Sequence, residues 1–241
     1  MTGEEQTPPP AGLVIFDCDG VLVDSEPLAL RVLLEGIAES GVAIEEALAY
    51  ERFLGRSLAS VIETVQRDFG LALEADALDR MRDRLYALFR DELRAITGVA
   101  EAIGRLRIPV CVASSSQMER IRLSLEITGL GPCFGDNVFS ATMVANGKPA
   151  PDLFLLAASR MHVDPPRCIV IEDSPAGIEA AKRAGMRVFA FTGGSHARSA
   201  DHRNRLAALE PDAVFDDMAR LPELLGTSGI SHKKCGSERD A

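Results

Sequence analysis

The chain has 241 residues, 46% apolar and 26% charged, and its formal net charge is −10. This composition is typical of a soluble globular protein with one large domain or two modest ones, and the negative charge argues against nucleic acid or an anionic membrane as the main partner. No apolar run approaches the roughly 18 residues of a membrane span. The acidic, proline-rich N-terminus is unlike a signal peptide, and five cysteines without a CxxC pair indicate reduced thiols. We therefore expect a cytoplasmic protein.

Short apolar segments typical of strands recur along the chain and mostly alternate with helical patterns. The predicted strands are 13–16, 108–113, 138–140, 168–171 and 187–191, and the helices between them are 98–106, 117–128, 152–161 and 175–184. Strands that alternate with helices predict a parallel sheet, and near-continuous apolar strands predict a sheet covered on both faces. The predicted fold class is therefore α/β, with a Rossmann-like doubly wound parallel sheet as its core.

One interval, 27–93, breaks this alternation because its patterns are all helical. The predicted helices are 27–40, 45–52, 58–69 and 74–90, and glycines punctuate them as they do helix ends. We expect a helical cap domain over 27–93, inserted into an α/β core. The predicted core consists of 12–26 and 94–225, and the flexible tails are 1–11 and 226–241. The alternative is a set of extra helices packed on the sheet.

Polar side chains gather after the predicted strands. They are the pair Asp17 and Asp19, the triplet Ser114, Ser115 and Ser116, Lys148 before a proline-opened helix, and the pair Glu172 and Asp173. A parallel sheet brings the carboxyl ends of its strands together. Oxygen ligands suit a hard cation such as Mg²⁺, whereas a hydroxyl, a lysine and helix N-termini suit a phosphate. A cation beside a phosphate, with one carboxylate free to react, indicates phosphoryl transfer through an aspartyl phosphate.

Four segments resemble, in order and spacing, the motifs of the haloacid dehalogenase superfamily. They are FDCDGVLVDSE (16–26), VASSS (112–116), GKPAPD (147–152) and IEDSPAGIEAAKRAGM (171–186). The resemblance covers about 13–220 and is to the phosphatase branch with an α-helical cap inserted after the first strand. It implies a Mg²⁺-dependent phosphatase that acts on a small phosphorylated metabolite, namely a sugar, polyol or sugar-acid phosphate.

The resemblance also implies a role for each residue. Asp17 is the expected nucleophile, and Asp19 is the expected general acid and then base. Ser114 is expected to bind the phosphoryl oxygens, and Lys148 to neutralise their charge. The expected metal ligands are Asp17, Asp19 through its backbone carbonyl, Asp173, and Glu172 either directly or in support of another ligand. The backbone N–H groups of Cys18, Asp19 and Ser115 are candidate phosphate donors. In these roles Asp17 stays ionised because it lies beside Mg²⁺ and Lys148, while like-charge crowding keeps a proton on Asp19.

Substrate contacts are expected from polar residues that face the cleft. The candidates are Glu26, Arg56, Ser57, Ser116 and Gln117, of which Arg56, between two cap helices, is the strongest. Two histidines after a Gly-Gly loop, His196 and His202, are expected at the surface.

Two other functions stay open. The beta-phosphoglucomutases carry a histidine at the position that matches Ala29, so its absence favours water over a sugar hydroxyl as acceptor. A phosphosugar mutase and a non-catalytic phosphate- or metal-binding module are the alternatives. A monomer is the simpler expectation, with a dimer left open.

Overall fold

The structure is a computed structural model that describes residues 9–53 and 58–226. Its six strands are β1 (Leu13–Phe16), β2 (Val110–Ser114), β3 (Val138–Ser140), β4 (Cys168–Glu172), β5 (Arg187–Phe191) and β6 (Ala213–Phe215). They form one parallel sheet in the order β3-β2-β1-β4-β5-β6. Strands β1, β2 and β3 follow one another toward one edge of the sheet. Strand β4 then pairs with the other side of β1, and β5 and β6 continue to the opposite edge. Ligands of such sheets bind outside the carboxyl ends of the strands at this reversal.

Helices fill the intervals between the strands. They are α1 (Glu26–Glu39), α2 (Glu46–Phe53), α3 (Leu58–Phe69), α4 (Ala75–Glu92), α5 (Val99–Arg105), α6 (Met118–Ile127), α7 (Gly131–Phe134), α8 (Asp152–Arg160), α9 (Pro175–Arg183), α10 (Ala200–Ala207) and α11 (Leu221–Leu224). The predicted helices of the core are thus present, with boundaries that shift by a few residues.

The two faces of the sheet carry separate apolar cores. Val14 and Phe16 pack with residues of α5, α6 and α7, whereas Leu13 and Ile15 pack with residues of α8, α9 and α10. Successive side chains of a strand point to opposite faces, so a fully apolar strand can serve both cores at once. The prediction of a doubly wound α/β fold is confirmed.

Helices α1 to α4 share a third apolar cluster, which includes Ile37, Phe53, Val65 and Met81. The two connections from these helices to the sheet run side by side. Asp24 N donates to Arg94 O at 3.0 Å, and Ile96 N donates to Leu22 O at 2.9 Å. The separate cluster supports an inserted cap, and the division of the chain into domains stays a prediction.

Some short elements have no clear signal in the sequence. The edge strand β6 has three residues, of which only Phe215 is buried, and α10 is mostly polar. The expectation of reduced thiols holds for Cys18, Cys111 and Cys168, which are free, whereas Cys235 lies outside the described residues. None of the helices in the described ranges is long and apolar enough to span a lipid bilayer.

Candidate active site

A cavity of about 700 Å³ lies between the carboxyl ends of the strands and helices α1 and α4. Most of the predicted site residues line it. They are Asp17, Asp19, Glu26, Ser114, Ser115, Ser116, Gln117, Lys148, Glu172 and Asp173. Cys18 is buried next to the two aspartates, and burial raises the pKa of its thiol well above the usual value. Arg56 and Ser57 lie outside the described residues.

Lys148 holds the centre of the site together. Its Nζ donates to Asp17 Oδ1 and Glu172 Oε1, both at 2.6 Å, and to Ala113 O at 3.0 Å. The side chain is 3% exposed, and Nζ lies 4.8 Å from the ring centroid of Phe154. Burial by itself lowers the pKa of Lys148, but the carboxylates of Asp17 and Glu172 raise it by a larger amount. The net shift is upward, so the ammonium stays charged.

Glu172 is fully engaged within the protein. Its Oε1 accepts from Lys148, and its Oε2 accepts from Asp173 N, Ser174 N and Ser174 Oγ at 2.9 to 3.0 Å. Gly177 leaves the room for it, since a Cβ there would lie 1.8 Å from Glu172 Oε1. The geometry places Glu172 as a support for the strand end and for Lys148.

Asp19 accepts hydrogen bonds from the loop after β1, from the loop after β2 and from α6. Arg120 Nη2 donates to Oδ1 at 2.7 Å, Ser116 Oγ donates to Oδ2 at 2.6 Å, and Ser25 Oγ also donates to Oδ1. Burial raises the pKa of Asp19, but the Arg120 charge and these hydrogen bonds lower it more, so the net shift is below the usual value. The expectation that Asp19 keeps a proton is therefore wrong for this arrangement. The reason is Arg120, on α6, which pairs with Asp19 across the fold and which the motifs do not include.

The pKa of Asp17 is shifted in the opposite direction to that of Asp19. Burial raises its pKa well above the usual value, and the Lys148 ammonium offsets this only in part. The expectation of an ionised Asp17 assumed two neighbouring cations, Mg²⁺ and Lys148. Lys148 alone does not fully offset the effect of burial on the pKa of Asp17. The order of the two pKa values in the protein alone is thus the reverse of the expected one.

Asp173 is contacted by two histidines that the sequence interpretation placed at the surface. His196 Nε2 lies 2.7 Å from Asp173 Oδ2, and His202 Nε2 lies 2.9 Å from Asp173 O. Both residues are buried, with 4% and 3% of their surface exposed. The surface expectation is wrong because the loop after β5 folds back over the carboxyl end of β4, which a local pattern does not reveal.

Three carboxylates are close enough to share a cation. Asp17, Glu172 and Asp173 each offer an oxygen, and these oxygens lie within 4.8 Å of one another. An all-oxygen set of this kind suits a hard divalent ion such as Mg²⁺. Because both oxygens of Glu172 already accept hydrogen bonds, Asp17 and Asp173 are the better direct ligands.

The comparisons with known proteins agree with this geometry. The model of the haloacid dehalogenase-like hydrolase family matches residues 12–185. The chain belongs to this family. It is 32% identical to the 6-phosphogluconate phosphatase of Escherichia coli K12 over 217 residues, which cover 90% of this chain and 95% of the relative.

Further relatives extend the agreement. The phosphorylated carbohydrates phosphatase of Thermotoga maritima is 35% identical over 189 residues, which cover 72% of this chain and 81% of the relative. Among solved structures, a conserved haloacid dehalogenase-like protein of Agrobacterium tumefaciens C58 superposes with a TM-score of 0.79 at 37% identity, covering 90% of this chain and 98% of that one. Together with the family, the named phosphatases show that the chain is a phosphatase.

Within this haloacid dehalogenase-like site, the position of the serine triplet in the sequence also indicates the position of Arg120. The serine triplet leads into α6, whose first turn carries Arg120, so a cation one turn beyond the triplet was a usable signal. Ser114 is buried and accepts from Ser116 N at 3.1 Å, which leaves its hydroxyl proton for another acceptor. No comparable local signal exists for His196, in the loop after β5, or for His202, on α10.

Proposed function

We propose that this phosphatase hydrolyses a small phosphorylated sugar, polyol or sugar acid with the help of Mg²⁺, through an aspartyl phosphate on Asp17. The observation that carries the proposal is the Asp17–Lys148 pair, with 2.6 Å between Oδ1 and Nζ, at the floor of a cavity that also receives Ser114 and Asp173. A carboxylate beside a fixed cation can approach an anionic phosphate without prohibitive repulsion.

Lys148 and Ser114 serve the transferring group. The Lys148 ammonium offsets charge shared between Asp17 and the phosphoryl oxygens, and the Ser114 hydroxyl donates to one of those oxygens. The backbone N–H groups of Cys18, Asp19 and Ser115 are proposed as further donors. Preorganised donors of this kind are the main means of lowering the barrier in phosphoryl transfer.

The carboxylates of Asp17 and Asp173 and the backbone carbonyl of Asp19 would be the protein ligands of the Mg²⁺. Glu172 would not bind the ion directly but would hold Lys148 and the end of β4 in place. When bound, the ion supplies positive charge that stabilises the transition state of the transferring phosphoryl group. The nearby carboxylate oxygens support this fit.

Asp19 is proposed as general acid and then base. In its present contacts it is a carboxylate, the form that accepts a proton from water when the aspartyl phosphate is hydrolysed. To protonate a leaving group it must first weaken its contact with Arg120, because that cation favours the ionised form.

The size and walls of the cavity support a metabolite-sized substrate. About 700 Å³ is within the range of small-molecule pockets, and helices α1 and α4 contribute apolar walls. Two relatives are named for 6-phosphogluconate and for phosphorylated carbohydrates, which supports a sugar or sugar-acid ester here. Glu26, Ser116 and Gln117 line this space, and Arg56 remains a proposed contact. The position of the mutase histidine is Ala29, whose methyl group lines the cavity and cannot move a proton, so water is the favoured acceptor.

The test is phosphate release from p-nitrophenyl phosphate and a panel of sugar, polyol and sugar-acid phosphates. Asp17→Asn should abolish turnover in a protein that stays folded, whereas Asp201→Asn, at an exposed position of α10, should keep full activity. EDTA should remove activity and Mg²⁺ should restore it. Undiminished turnover in Asp17→Asn would sink the mechanism, and conversion of beta-glucose 1-phosphate into glucose 6-phosphate would favour the mutase.

A further inference from the structure

His196 occupies a position that packing alone does not explain. The side chain is 1% exposed, and Nε2 lies 2.7 Å from Asp173 Oδ2. In the described part of the chain neither ring nitrogen makes a well-aligned hydrogen bond. The short distance carries more weight than the angle, because a small rotation of the ring changes the angle and not the neighbour. Buried polar nitrogens are unfavourable without a partner, so an apolar residue would pack here at lower cost.

Two glycines make the room for this contact. A Cβ on Gly20 would lie 2.1 Å from Asp173 Oδ2 and 2.7 Å from His196 Cε1, and a Cβ on Gly194 would lie 2.6 Å from the same Cε1. None of these three distances is compatible with a side chain at either glycine. The backbones on both sides of the imidazole are therefore suited to its presence, one in the loop after β1 and one in the loop after β5.

The loop that carries His196 is tied to the catalytic loop. Asp24 Oδ1 accepts from Ser195 N at 3.0 Å, and Asp24 Oδ2 accepts from Ser195 Oγ. Asp24 follows the Asp17 and Asp19 segment directly, so the residue before His196 is anchored to the same segment as the nucleophile. The ring of His196 thereby has a defined place relative to Asp173.

A second histidine supports the same residue from another side. His202 Nε2 lies 2.9 Å from Asp173 O, and its ring packs edge-on against His196, with 5.4 Å between the centroids. Asp173 is thus contacted at its carboxylate and at its carbonyl by one segment that contains none of the sequence motifs.

We propose that His196 is a positioning residue that orients the carboxylate of Asp173 toward the metal ion. The inference rests on the proposed role of Asp173 as a Mg²⁺ ligand. By occupying Oδ2, the imidazole removes the rotational freedom of the carboxylate and leaves Oδ1 for the ion. Partners that orient a ligand in this way typically contribute 10–100-fold to metal affinity.

The experiment is calorimetric titration of the full chain with Mg²⁺ and with Mn²⁺, in the absence of substrate. His196→Leu removes the ring nitrogens, His196→Asn keeps a polar group too short to reach Asp173, and His196→Gln keeps an N–H donor of sufficient length. We expect the Leu and Asn variants to bind each ion about 10–100-fold more weakly, and the Gln variant to stay within about threefold of the wild type.

The matched control is His162→Asn. His162 follows α8 and precedes Val163, whose side chain packs at Gly12 before β1, at the opposite edge of the sheet from the site. Its φ of 56° is one that asparagine accepts. This variant should bind both ions as the wild type does.

Phosphatase assays should show a higher Mg²⁺ concentration for half-maximal activity in the His196→Leu and His196→Asn variants, with kcat recovered at saturating Mg²⁺.

The outcomes distinguish a failure of the positioning role of His196 from a failure of the proposed Mg²⁺ site. Wild-type affinity in His196→Leu, or equal affinities in the Asn and Gln variants, overturns the positioning role while the proposed cofactor stands. A purely structural role would lower the free energy of unfolding in EDTA without changing metal affinity, and that result also overturns it. If the Leu variant does not fold, the comparison of Asn with Gln decides. If the wild type binds neither ion, the proposed Mg²⁺ site fails, and the inference fails with it.

Discussion

Replacing Lys148 by methionine should cost the protein much of its stability as well as its activity. The lysine stands between two buried carboxylates, Asp17 and Glu172, with 2.6 Å from Nζ to each. Methionine keeps a similar volume and an unbranched apolar stem, so the change removes the charge without opening a large cavity. The effect therefore measures the buried ion pairs rather than packing.

The expected loss follows from the burial of these groups. Removing one partner of a buried ion pair leaves an uncompensated charge and typically costs about 3–5 kcal/mol. The exposed fractions here are 3% for Lys148, 11% for Asp17 and 1% for Glu172, so solvent screens the remaining carboxylates little. We expect a loss of that size at pH 7.5. A smaller loss is expected as the pH is lowered, because burial raises the pKa of Asp17 and a protonated Asp17 leaves less charge uncompensated.

The assay is urea unfolding in EDTA, followed by far-ultraviolet circular dichroism because the chain has no tryptophan. Lys182→Met is the matched control. Lys182 is exposed and donates to one backbone carbonyl, Leu209 O, so its loss should cost less than about 1 kcal/mol. Equal midpoints for the two variants, with unchanged dependence on urea, would refute the idea that Lys148 neutralises buried charge.

Two further predictions test the surroundings of the site. Gly177→Ala should destabilise the protein by about 1–3 kcal/mol and lower turnover, because the new Cβ would lie 1.8 Å from Glu172 Oε1; Gly131→Ala, with its nearest atom 3.9 Å away, is the control, and equal urea midpoints would contradict the crowding. Glu26→Gln should flatten the pH dependence of stability measured in EDTA. Burial, followed by the Asp19 charge, raises the pKa of Glu26 from 4.5 to about 7. The folded state then holds a proton that the unfolded state has lost, so wild-type stability falls as pH rises through this window. An unchanged slope in the variant would exclude Glu26 as its source.

Much of the architecture follows from local sequence patterns. Apolar runs such as Leu13–Phe16 are long enough to mark strands, and the all-helical interval has no competing signal. The limits of this method appear at β6, where only Phe215 is buried, and at α10, whose sequence is mostly polar, because neither pattern differs from that of a loop.

The residues of the candidate site were predictable for a related reason. Asp17 and Asp173 each follow a strand and Ser114 is the last residue of one, and parallel strands that start from one edge must end at the other. Their approach is therefore a consequence of strand direction, which the alternation of strands and helices already implies. Lys148 joins them because it precedes α8, which packs against β1 and β2.

The contacts that tune these groups depend on tertiary structure alone. Asp19 pairs with Arg120, 101 residues later, and Asp173 meets His196 from the loop after β5. A pKa depends on burial and on distances to charges, and neither is a property of a local segment. Local patterns thus determined which carboxylates, hydroxyl and lysine meet at the sheet edge, because strand direction is encoded locally. Only the folded arrangement decided which oxygen receives which donor, and with it which aspartate is the more readily ionised.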